Sequence, residues 1–174
     1  MKLAPSVGAA FILACLIAHP SPGVAKSLDV STPLPEAVEK TYRAAFPHGE
    51  ITRLDVTDEN GVSVYDIEFN DGPLEKETDI SGDGTMLEFT LVIAAKEVPT
   101  AAMKTIKKAA TGAKIGRIER IELSYETKDG KVVKLAEPRI SYAAEMTKGK
   151  KKAEIVAASD GTVVEPATWA IPPK

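Results

Sequence analysis

Leu91-Val92-Ile93-Ala94-Ala95 is a run of five apolar residues without polar punctuation. On either side of it the chain carries the same landmarks in the same order. "LPEAVEKTYRAA" begins at Leu34 and "VPTAAMKTIKKA" at Val98, an offset of 64. Val38, Tyr42, Ala45 and Phe46 fall at i, i+4, i+7 and i+8, as do Ala102, Ile106, Ala109 and Ala110, giving each segment one apolar helical stripe. Pro35 and Pro99 suit a first helical turn, where a missing N–H costs nothing. Pro47-His48-Gly49 and Thr111-Gly112 are the stops.

After each helix the period changes to two. Tyr65, Ile67 and Phe69 alternate, and so do Tyr142, Ala144 and Met146, 77 residues further on. Asp83-Gly84-Thr85 likewise corresponds to Asp160-Gly161-Thr162. The change of offset is a 13-residue extension of the second copy, a longer hairpin that turns at Lys128-Asp129-Gly130-Lys131. The pattern predicts strands near 51–57, 62–70, 74–80 and 85–89, then near 115–126, 131–146, 150–158 and 162–166. The expected fold class is therefore α+β: two tandem units, each one helix packed on a three- to four-stranded antiparallel sheet. Residues 34–97 and 98–168 are the expected units, with 26–33 a linker and 169–174 a tail. The apolar run between them is expected to be buried between the units or to form an edge strand. A unit of this size has a small core and is marginal alone, so the two should unfold together.

The chain begins with Lys2, an apolar run from Val7 to Ala18, a break at His19-Pro20-Ser21-Pro22, and small residues at Gly23-Val24-Ala25. This layout predicts a secretory signal cleaved after Ala25. Its rival is Ile12-Leu13-Ala14-Cys15, which resembles a lipobox whose acylated Cys15 would anchor the chain to a membrane. Export to a periplasmic or extracellular space is expected either way. Past Ala25 there is no cysteine, hence no disulfide, thiolate nucleophile or cysteine metal site. Lys26 to Glu97 holds 6 basic and 16 acidic residues, a net of −10; Val98 to Lys174 holds 15 and 9, a net of +6. Opposed fields help halves dock or select a partner. The even overall mixture makes nucleic acid no obvious partner.

Candidate sites are few. In "DISGDGTMLEF", Asp79 to Phe89, the residues Asp79, Ser81, Asp83 and Gly84 suit the first half of a calcium loop, but Thr90 stands where the closing glutamate belongs. A strand follows rather than a helix with a lysine near its start, which argues against a phosphate loop. A hairpin turn explains the stretch. His48 is the only histidine after Ala25 and has no partner for metal binding. No nucleophile–base pattern or cofactor motif is present, so no enzyme and no cofactor are expected. By exposure, the candidate partner contacts are Lys128, Asp129 and Lys131 on the long hairpin and Lys150 and Lys151 in the basic tip Lys148–Lys152; Trp169 in the tail "EPATWAIPPK" either pins the tail onto the core or is a further contact, an exposed anchor for a partner.

"LPEAVEKTYRAAFPHGEITRLDVTDENGVSVYDIEFNDG", followed by "KETDISGDGTMLEF", resembles a PepSY-like domain, and residues 98–166 resemble a more diverged copy. The resemblance implies a non-enzymatic exported protein, with an envelope peptidase or another exported protein as partner. The tandem arrangement is similar to the beta-lactamase-inhibitor-protein architecture, which presents a concave sheet to an enzyme; this chain lacks that inhibitor's disulfides. The alternative is an envelope protein that binds a ligand or cation with its acidic first half.

Overall fold

A computed structural model describes residues 25–172. The expected signal segment and Cys15 lie outside them. The chain runs β1 (Lys26–Leu28), α1 (Glu36–Ala45), β2 (Glu50–Glu59), β3 (Val62–Asp71), β4 (Leu74–Ser81) and β5 (Met86–Val92). A 3-10 turn follows over Ala95–Glu97. Then come α2 (Thr100–Ala109), β6 (Lys114–Lys128), β7 (Lys131–Lys148), β8 (Lys151–Ala158) and β9 (Val163–Glu165).

The two helices form where the apolar stripes placed them. Pro35 and Pro99 stand at their N-caps, and Val38, Tyr42, Ala102 and Ile106 are their buried residues. Glu36 and Glu39 lie in the first turn of α1, and Lys107 and Lys108 in the last turn of α2, each complementing the helix dipole. Under α1 the core is Leu54, Ile67, Phe69 and Ile80. Tyr42 meets Phe69 edge to face at 5.2 Å, and burial pushes its hydroxyl up to about 12. Under α2 the core is built from Ile118, Tyr142, Ala144, Met146 and Ile155.

The expectation of two units with separate sheets is wrong. All nine strands of the described residues form one antiparallel sheet in the order β1 to β9. The decisive pairing is β5 with β6, from Glu88↔Leu123 to Val92↔Glu119. Leu91 and Val92 are therefore interior strand residues, neither a linker nor a sheet edge. Two separate sheets would leave the backbone donors and acceptors of β5 and β6 unpaired along two edges. The lengthened β6 is long enough to pair with β5 on one side and β7 on the other. Lys26–Leu28, placed in a linker from the sequence, is instead an edge strand on β2. Because the halves share backbone hydrogen bonds, calorimetry of residues 26–174 is expected to give one transition, with van't Hoff and calorimetric enthalpies equal. Two resolved transitions would refute this.

Candidate functional site: an acidic ladder on the helix-free face

Strand alternation sends Leu54, Ile67 and Ile80 toward α1 and their neighbours to the opposite face. Cross-strand register then places Asp55 opposite Asp66, Asp66 opposite Asp79, and Asp79 opposite Glu88. Four carboxylates on four adjacent strands make one row. Glu68 opposite Glu77 begins the next row. Like charges placed directly opposite are destabilising, so this arrangement needs compensation.

Arginine supplies it only at the flanks. Arg53 reaches Asp55 at 2.5 Å and Glu68 at 3.0 Å. Arg117 reaches Glu119 at 2.5 Å and Glu75 at 3.0 Å. Among the described residues, no lysine or arginine forms an ion pair with Asp66, Glu77, Asp79 or Glu88. One oxygen of Asp66 is buried without a hydrogen-bond partner. Burial first, and the neighbouring carboxylates second, push Asp66 up to about 7 and hold Glu77 and Asp79 well above the usual carboxylate range. Glu88 is only 8% exposed. Burial pushes it to about 7, against a weak hydrogen bond donated by the Thr90 hydroxyl at 3.4 Å. In the second half, outside this row, burial also brings Glu154 and Glu165 to about 7.

Two hairpin tips clasp beside the ladder. The β2–β3 and β6–β7 turns are Asn60-Gly61 and Asp129-Gly130, all four residues at positive φ, as two-residue hairpins require. β4 and β5 separate these hairpins in the sheet, yet their tips touch. The Gly130 N–H donates to the Asn60 carbonyl at 2.7 Å. The Asn60 side-chain amide donates to the Thr127 carbonyl at 3.0 Å and to its hydroxyl at 3.1 Å. The sheet must curl to allow this, and Glu59 beside the clasp adds to the repulsion felt by Asp66, Asp79 and Glu88.

Oxygens of Asp66, Glu77 and Asp79 lie within 4.8 Å of one another, a spacing that could hold one hard cation. The calcium-loop alternative for Asp79 to Phe89 does not hold. Asp83 accepts from the Ser81 hydroxyl at 2.6 Å and from the Thr85 N–H at 3.0 Å, tying both residues into the turn. Asp79 instead joins two residues brought in by strand pairing.

Of the residues singled out from sequence, Lys128, Asp129 and Lys131 are exposed at the clasped tip. Lys150 and Lys151 are exposed at the β7–β8 tip, and half-buried Trp169 packs against the core under α2. The two groups stand at opposite ends of β7, which starts at Lys131 and ends at Lys148, so the fold does not bring them together. His48 is exposed. Sequence reasoning missed Asp66, Glu77 and Glu88. Their only signal was an acidic residue at every second position of Asp66–Glu68 and Glu75–Glu77–Asp79, a pattern that a solvated strand face explains equally well.

Among the described residues no helix is long and apolar enough to cross a membrane. No protein-family model matches the chain, and no curated protein matches it. Solved structures do. A Bacteroides eggerthii protein described as periplasmic is 12% identical, with a TM-score of 0.59 over 80% of this chain and 91% of its own. A DUF2874 family protein from Bacteroides uniformis is 12% identical, with a TM-score of 0.58 over 79% and 90%. A BLIP-like protein from Bacteroides fragilis is 11% identical, with a TM-score of 0.50 over 82% and 90%. At these identities the chain shares with all three a fold.

Proposed function

We propose that this chain is an exported, non-enzymatic protein-binding module whose helix-free face receives a basic segment of its partner. The observation that carries the reading is the row Asp66, Asp79 and Glu88 with Glu77 beside it, four carboxylates with which no lysine or arginine of the described chain forms an ion pair. An incoming lysine or arginine would relieve repulsion that the fold already bears. The fold likeness to a protein described as periplasmic and to a BLIP-like protein supports export and protein binding. The PepSY-like resemblance of residues 34–166 favours, as that partner, an envelope peptidase that this chain modulates over another exported protein. The test is capture from an envelope extract on residues 26–174, alongside the variant Asp66→Asn/Glu77→Gln/Asp79→Asn. A peptidase held by the first bait, released by salt and absent from the second is the expected result. Identical captures on both baits would overturn the reading.

A second reading is favoured by one distance. The 4.8 Å cluster of Asp66, Glu77 and Asp79 suits a divalent cation such as calcium. Calcium at ten times its Kd would then add about 1.4 kcal/mol, raising Tm by roughly 3–6 °C. The rise would vanish in the same triple variant. No rise at millimolar calcium would end this reading and leave the first standing.

A further inference from the structure

We propose that the lysine-rich end of the molecule beside α2 is a docking surface for an anionic lipid bilayer. Tertiary structure assembles this surface from four places in the sequence. Lys107 and Lys108 end α2. Lys114 begins β6 and pairs with Thr147. Lys148 closes β7 with its Nζ 3.4 Å from the point where a side chain on Gly112 would start, so the α2 stop and the β7–β8 tip are in contact. Lys148, Lys150 and Lys151 then share a shallow depression with Trp169 and Ile171. The tail is fixed there by two backbone bonds, Lys152 N–H to the Ala170 carbonyl at 2.8 Å and Ala170 N–H to the Lys152 carbonyl at 2.9 Å.

Three features select a bilayer as the occupant. First, the charge is uncompensated. Lys107, Lys108, Lys114, Lys148, Lys150 and Lys151 are exposed, and none forms an ion pair among the described residues. Second, the cations are all lysines. They are mobile point charges that suit a diffuse layer of phosphates better than the two-toothed recognition of a protein carboxylate, for which arginine is built. Third, apolar groups sit among them. Ile171 is 65% exposed and Trp169 is half-buried, the combination that partitions into a headgroup layer while lysines stay at its surface. The acidic ladder lies on the helix-free face, so docking by this end leaves it available to a protein partner.

Trp169 is the only tryptophan of the chain, so its emission reports on this surface alone. All described strands and helices lie within residues 26–174, and that chain would be titrated with vesicles of phosphatidylglycerol and phosphatidylcholine at low salt. The expected result is a blue shift of the emission and co-sedimentation, both lost at high salt and absent with pure phosphatidylcholine. Each lysine near an anionic surface contributes about a factor of five. The variant Lys148→Gln/Lys150→Gln/Lys151→Gln should therefore bind roughly 100-fold more weakly, with its Tm unchanged because all three side chains are exposed. Ile171→Ser should keep salt-dependent binding but reduce the blue shift. Equal binding to the two vesicle types, or undiminished binding by the triple variant, would overturn the proposal. So would a blue shift on adding polyglutamate with none on adding anionic vesicles.

Discussion

Replacing Gly84 with alanine, or Gly161 with alanine, should each destabilise the protein by about 3 kcal/mol, lowering Tm by roughly 6–12 °C. Two costs combine. Gly84 has φ +88° and Gly161 φ +89°, a left-handed conformation that costs an L side chain about 1–2 kcal/mol. In addition, a Cβ on Gly84 would lie 2.7 Å from the Ala37 carbonyl oxygen, and one on Gly161 would lie 2.8 Å from that of Ala101. These obstacles are helix backbone and cannot rotate away. Relief requires the helix to lift, and lifting breaks the hydrogen bond from the Thr41 hydroxyl to the Gly84 carbonyl, or from Thr105 to Gly161, each 2.6 Å. Gly72 is the control: it has φ +62° but nothing within 4 Å of its would-be Cβ. Gly72→Ala should cost only the backbone share, about 1 kcal/mol. Equal melting temperatures for Gly84→Ala and Gly72→Ala would show that the close helix approach contributes nothing.

Stability should fall as pH rises from 5 to 8. Asp66 and Glu88 are held near 7, and Glu77 and Asp79 well above their ordinary values. An acid whose folded value is raised binds its proton more tightly in the native state. Its penalty is absent below about pH 4, where folded and unfolded chains are both protonated, and complete above the folded value. Asp29, Asp83 and Asp160 are shifted the other way by hydrogen bonds from Ser31, Ser81 and Thr162. Their contribution is present above about pH 4 and is lost on further acidification. The optimum should therefore sit near pH 5, with a loss on the order of a few kcal/mol by pH 8. Asp79→Asn should raise Tm at pH 8 and change it little at pH 5. Thermal melts of both chains across this range, without divalent cations, decide it. A flat profile, or an equal effect of the substitution at both pH values, would show that the ladder is compensated in solution.

The glycine and carboxylate results bear differently on what was legible. Asp-Gly-Thr at 83–85 and 160–162 could be read as a turn from residue type, because glycine adopts the required φ without steric cost. That these glycines must also admit a helix carbonyl could not be read, since Ala37 and Ala101 are distant in sequence. The ladder was hidden for a related reason. A strand's period of two shows which residues share a face, but it does not show which strands are neighbours or in what register. Asp66, Asp79 and Glu88 become one row only when β3, β4 and β5 are paired.

By itself the sequence determined the local elements: two helices from their apolar stripes and proline starts, the long hairpin from Asp129-Gly130, and core faces from Tyr65-Ile67-Phe69 and Tyr142-Ala144-Met146. These depend on interactions within a few residues. Tertiary structure decided that Leu91 and Val92 continue one sheet, that two hairpin tips clasp across it, and that carboxylates and lysines gather on separate surfaces. The physical reason is that a strand edge must satisfy its backbone donors and acceptors, and its partner is chosen by the whole fold.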